Sequence, residues 1–173
     1  MGKPFKRKKG TLQARLSGQE RRVLEHVCDE LTTVLSDPTP DPDVPEWARE
    51  LGLAGVGEAR PAPEDPVLAR LLPDAYDDPE EAGEFRRLTE AGLRATKLAH
   101  IAVVREQLGH DPIVITDDVQ AWLAFFADAR LALGTRLGVT EDDSMWPTLD
   151  PQQNLYLYLG YLQQSLVEVL MGE

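Results

Sequence analysis

After Pro79 no proline occurs until Pro112, and this uninterrupted stretch constrains the fold more than any other. Asp78 suits a helix N-cap, Pro79 suits the first helical position and Gly109 suits a stop. Together they predict one helix over residues 79–108, about 45 Å long at 1.5 Å per residue. Phe85, Leu88, Leu93, Ala99, Val103 and Leu108 recur along it and read as its core face, weakened near Gly92. A helix of that length needs neighbours to cover its apolar side.

Three further helices supply them. Ser17 and Glu20 form an S-x-x-E capping box, followed by Val23, Leu24, Val27, Leu31, Val34 and Leu35 at helical spacing. Asp37-Pro38 is the expected stop. Thr116 is read as the cap of a third helix ending at Gly138. Asp150 and Pro151 open a fourth, carrying Leu155, Leu159, Leu162, Leu166 and Leu170. SDPTPDPDVP (36–45) and GEARPAPEDP (57–66) are stiff, solvated proline clusters, and EWARELGL between them suits a short helix led by Pro45. IVIT (113–116) is β-branched but short, and is read as the lead-in to the third helix rather than a strand. The expected fold is all-α: a single-domain bundle of about four long helices, with short helices in a proline-rich insert near 36–66. Residues 1–16 are read as a basic flexible arm and 17–173 as one helical domain.

The chain has 173 residues and a net charge of −12, unevenly spread. Residues 1–22 hold eight basic residues against one acid, a head of +7; the rest holds ten basic against 29 acidic, a body of −19. Phosphate backbones and anionic membranes repel such a body. No apolar core follows the basic start, so a signal peptide is not expected. AWLAFFA (121–127) is too short to cross a bilayer. A cytoplasmic protein without membrane association is expected. A lone cysteine, Cys28, fits a reducing compartment.

No catalytic signature stands out. GLAGVGEA (52–59) is not a dinucleotide fingerprint and follows no strand; there is no Walker loop, nucleophile elbow or H-E-x-x-H. Ser144 and Thr148 have no basic partner in the pattern. His26 with Glu30 and His110 with Glu106 are each four apart, but a metal needs three or four converging ligands. The chain is read as non-enzymatic, with no metal and no cofactor. Cys28, among Glu25, Asp29 and Glu30, reads as a packed helix cysteine, with an oxidant-sensing thiol as the sharper alternative.

Two basic features remain. In KPFKRKK, Lys3, Lys6, Arg7, Lys8 and Lys9 could contact phosphates and Phe5 could stack on a base, or the run is a solubilising tail. In EFRRLTE (84–90), Arg86 and Arg87 lie at i,i+3 or i,i+4 from Glu84 or Glu90, which reads as a self-satisfied charge ladder, with Asp128 on a neighbouring helix as a further acceptor and partner contact as the alternative. Phe85 and Leu88 are expected to point to the core. Trp122 reads as core. Trp47 and Trp146 lie outside the long helices; Trp47 either covers a core edge, the preferred reading, or anchors a partner. LYLYLGYL (155–162) offers more apolar surface than one helix face can bury, which suggests a homodimer through the last helix.

DAYDDPEEAGEFRRLTEAGLR (74–94) and DVQAWLAFFADARLALGTRLGV (118–139) together resemble the signature regions of a small actinobacterial family, long carried as a domain of unknown function and associated with AosR-type oxidative-stress regulators of transcription. The resemblance covers most of the chain and is loose over 37–72. By position, Glu84, Phe85, Arg86, Arg87 and Glu90 match one motif, and Arg130, Gly134 and Arg136 the other. It implies an α-helical cytoplasmic protein, not an enzyme, that acts with the transcription machinery under stress. The acidic helical body suits docking on a basic face of RNA polymerase or a sigma factor, with DNA contact through the basic arm as the alternative. A redox switch within one chain needs two cysteines, and this chain has only Cys28.

Overall fold

The structure, a computed structural model, describes residues 3–36, 45–51, 62–140 and 149–172. Asp37, Pro38, Gly52, Gly55, Gly57, Ser144, Trp146 and Thr148 lie outside them. The architecture is mostly helical but not all-α: a three-stranded antiparallel sheet closes one side of the bundle. Its strands are β1 (Phe5–Lys8), β2 (Thr11–Ala14) and β3 (Ile113–Ile115), in spatial order β1-β2-β3. Residues 5–14 are therefore a hairpin rather than part of a flexible arm, and IVI is a strand rather than a helix lead-in.

The hairpin follows from its turn. Lys9 and Gly10 both take positive φ, 51° and 83°, the two-residue geometry that matches the twist of flanking strands. Ala14 pairs with Phe5 and Leu12 with Arg7; on its other edge β2 sets Leu12 against Ile115 and Ala14 against Ile113. Leu12, Ala14, Ile113 and Ile115 are buried while Val114 points out, a half-buried strand pattern too short to stand out in sequence. Phe5 is fully buried. Its ring meets Trp122 and Phe126 edge-on at centroid distances of 5.8 and 6.1 Å. This corrects the reading of Phe5 as a base-stacking side chain. The basic residues that follow line a sheet edge, where cations discourage pairing with other strands.

The helices are α1 (Gly18–Leu35), α2 (Glu46–Glu50), α3 (Pro66–Leu71), α4 (Pro79–Leu108), α5 (Val119–Leu137) and α6 (Pro151–Met171). The capping box is formed: Ser17 N–H donates to Glu20 at 2.7 Å and Glu20 N–H to Ser17 Oγ at 3.2 Å. Asp78 accepts from Glu81 N–H at the start of α4. The α5 N-cap is Asp118 rather than Thr116, because β3 takes up the residues before it. Helix α5 packs against α3, α4 and α6, and its Trp122, Phe125 and Phe126 are fully buried. Trp122 Nε1 donates to Gln107 at 2.7 Å, and Gln107 donates to Asp118 at 2.6 Å, which ties the end of α4 to the start of α5.

Candidate functional site

The face that α4 turns inward is not the expected one. Its first half buries Ala82, Gly83, Arg86, Glu90 and Arg94; Phe85 is 41% and Leu88 68% exposed. Arg86, Glu90 and Arg94 succeed one another at i,i+4, so they share one side of the helix. Arg86 donates to the carbonyl of Leu72 at 3.1 Å and forms an ion pair with Asp74. Arg94 donates to Glu90 at 3.0 and 3.1 Å and to the carbonyl of Leu35 at 2.7 Å. Leu72 is the C-cap of α3 and Leu35 the last residue of α1. The two guanidiniums thus satisfy carbonyls left over at two helix C-termini, where positive charge is also favoured. Asp128, expected as an arginine partner, is buried and instead accepts from the half-buried Lys97 at 2.7 Å. Phe85 turns outward and meets Tyr76 edge-on at 5.6 Å; Leu88 also faces outward, which corrects the expected core face. Arg87 is half-buried and Glu84 exposed.

The second motif joins α5 to α6. Arg130 donates to Gln163 at 2.8 Å and to the Tyr156 hydroxyl at 3.5 Å, with its guanidinium 5.2 Å from the Tyr156 ring centre. Gly134 makes room for that ring: a Cβ there would lie 3.2 Å from Tyr156 Cε2. Arg136 reaches Glu30 on α1 at 2.7 Å on the surface. Arg130 and Gly134 therefore meet in one cluster, while Arg136 sits apart.

Cys28 is fully buried in the core face of α1. Burial pushes its thiol up to about 12; Asp29 and Glu25 act in the same direction and Arg105 against it. At neutral pH it is a thiol, not the thiolate that oxidants attack. On the hairpin, Lys6, Arg7, Lys8 and Lys9 are exposed, Arg7 donating to the Gly10 carbonyl at 3.4 Å, and Lys3 pairs with Glu168 at 2.9 Å. Trp47 on α2 is 61% exposed beside the exposed Glu46 and Glu50, rather than covering a core edge.

The family described as a domain of unknown function, DUF2017, matches residues 2–170. The chain belongs to the DUF2017 family. It is similar to the oxidative stress regulator AosR of Mycobacterium tuberculosis strain H37Rv and to that of Mycobacterium bovis, each 30% identical over 91% of this chain and 81% of the relative. No solved structure matches it.

Among the described residues of this DUF2017 chain, no three His, Cys, Asp or Glu side chains are grouped to hold a metal ion, and no helix is long and apolar enough to cross a membrane. Sequence reasoning missed the residues that give the arginines their work. Asp74 and the carbonyls of Leu72 and Leu35 lie 12 to 59 positions away from their arginines. A local charge rule that looks three or four residues along a helix does not reach them. Tyr158, which donates to Glu20 at 2.7 Å across 138 positions, was missed for the same reason.

Proposed function

We propose that this DUF2017 protein is a non-enzymatic regulator of the oxidative stress response that acts on transcription by protein–protein contact, with RNA polymerase or a sigma factor as partner. The relatives named as oxidative stress regulators support the stress role. The observation that carries contact with a protein is Trp47, 61% exposed between Glu46 and Glu50 on α2. Exposed tryptophans anchor interfaces, and flanking acids select a basic face. The body of −19 works against a nucleic acid as main partner. The burial of Cys28 supports a chain that transmits a signal sensed elsewhere.

A second reading has its own observation. Lys6, Arg7, Lys8 and Lys9 stand exposed on the edge strand β1 and its turn, rooted in the core by Phe5, and a cationic sheet edge suits contact with phosphates.

The test is co-purification of the tagged protein from stressed and unstressed cells, with and without nuclease. Polymerase or a sigma factor retained after nuclease, and lost with Trp47→Ala, is the expected result. A catch that disappears with nuclease and survives Trp47→Ala overturns the protein-contact reading in favour of the hairpin.

A further inference from the structure

The outward face of α4 carries a second pattern. Phe85, Leu88, Gly92, Ala95, Ala99 and Ala102 are all exposed. They are spaced 3, 4, 3, 4 and 3 apart, the alternation of a coiled-coil seam rather than of a helix lying on a globular core. Glu81 and Glu106 hold the next positions of the repeat and bound the seam, which spans about 26 Å at 1.5 Å per residue. Nothing lies within 4 Å of where a Cβ of Gly92 would stand. The flanking Thr89 and Thr96 donate to their own helix, to the carbonyls of Phe85 and Gly92 at 2.8 and 3.0 Å, so neither hydroxyl needs a further partner beside the seam.

The orientation of this face is fixed from behind. Arg86 and Arg94 are held by Asp74, Glu90 and two helix-end carbonyls on the opposite side of the same helix. Rotating the seam inward would expel both buried guanidiniums from those bonds, so the apolar seam is a built surface and not a slipped one.

We infer that this seam pairs antiparallel with the same seam of a second copy of the chain. The size of the side chains selects the orientation. In the antiparallel register Phe85 faces Ala102, Leu88 faces Ala99 and Gly92 faces Ala95, a large residue against a small one at each wide layer. Helices lined this way approach to the short end of the 8–10 Å range. A parallel pair would stack Phe85 on Phe85 and Ala102 on Ala102 and splay at one end. The flanks agree. The positions that meet across an antiparallel seam set Glu84 of one copy against Arg105 of the other, twice by symmetry, and Thr89 against Thr96. Glu84 is exposed, and Arg105 is 44% exposed beside Asp29. A parallel pair leaves Glu84 opposite Thr89 and forms no ion pair. The seam is short against a standard interface of about 800 Å² per partner, so association is micromolar and concentration-dependent. The inference does not depend on Trp47 or on any transcription partner.

The test uses the full chain. Sedimentation equilibrium over roughly 1–200 µM is expected to show a reversible dimer, and Ala95→Lys to abolish it with circular dichroism and thermal unfolding unchanged, since Ala95 is exposed. Glu84→Arg and Arg105→Glu each weaken self-association about five- to tenfold, while an equal mixture of the two variants restores it because both ion pairs reform. In a Cys28→Ala background, a mixture of Leu88→Cys and Ala99→Cys gives a covalent dimer under mild oxidation, and neither variant does so alone, because two copies of position 88 lie about 16 Å apart. A monomer at every concentration, a dimer indifferent to Ala95→Lys, or cross-linking of Leu88→Cys with itself overturns the inference. Loss of transcription-factor capture with an intact dimer would sink the proposed function and leave the dimer standing.

Discussion

Arg94 closes the C-terminus of α1 by donating to the carbonyl of Leu35 at 2.7 Å, while the other edge of its guanidinium holds Glu90. One side chain near the middle of α4 thus finishes a helix that ended 59 residues earlier.

Arg94→Met leaves Glu90 buried without this partner and the Leu35 carbonyl without its donor. Removing one member of a buried pair costs about 3–5 kcal/mol. Urea unfolding is expected to show a loss of that size. The double variant Arg94→Met with Glu90→Leu should lose less, because no lone charge remains inside. Equal losses would mean that Glu90 is cared for by other groups.

Phe5→Ala should destabilise the protein by about 3–5 kcal/mol, the usual cost of truncating a buried aromatic. Lys8→Ala, three residues on and exposed, should change stability by less than about 0.5 kcal/mol. Thermal unfolding of both variants separates a core anchor from a loose tail.

Cys28 should react with thiol reagents slowly in the native protein and fast in denaturant. Its folded thiol is raised from 9.0 to about 12, so the native state keeps its proton longer than the unfolded chain. The stability this provides is fully present below pH 9 and is lost as pH rises from there towards 12. Cys28→Ala should flatten that alkaline fall relative to the parent protein, read from denaturation midpoints between pH 8 and 10.5.

Two glycines should respond oppositely to alanine. At Gly160 a Cβ would sit 3.6 Å from Arg130 Nε, an ordinary contact, so Gly160→Ala should gain up to about 1 kcal/mol of helix propensity. At Gly134 the Cβ would press on Tyr156 at 3.2 Å and shift the ring that stacks on Arg130. Gly134→Ala should gain nothing or lose stability. A gain at both positions would show that Tyr156 moves freely.

The long helices were legible because their punctuation is local: Ser17 with Glu20, Asp78 with Pro79, Asp150 with Pro151. The sheet was not. Its strands are four, four and three residues long, and β1 shows one buried side chain followed by three exposed ones, so no alternation announces it. Only the Lys9-Gly10 pair carried a hairpin signal, inside a run whose charge suggested a tail. The inversion of α4 was invisible for another reason. A periodic apolar line was assigned to the core; Leu108 at its end is buried, yet in the first half of this helix the core side goes to Arg86, Glu90 and Arg94, and the arginines' carbonyl partners are remote in sequence.

The slot that receives Phe5 is lined by Trp122, Phe126 and the Ser165 hydroxyl, to which the Phe5 N–H donates at 3.4 Å. On the ribosome those residues emerge more than a hundred positions after it. An apolar anchor of the fold has to wait, unsheltered, until the helices that cover it have been made. Such wide sequence separation slows folding and lengthens the time in which a nascent hydrophobic group is open to chaperones.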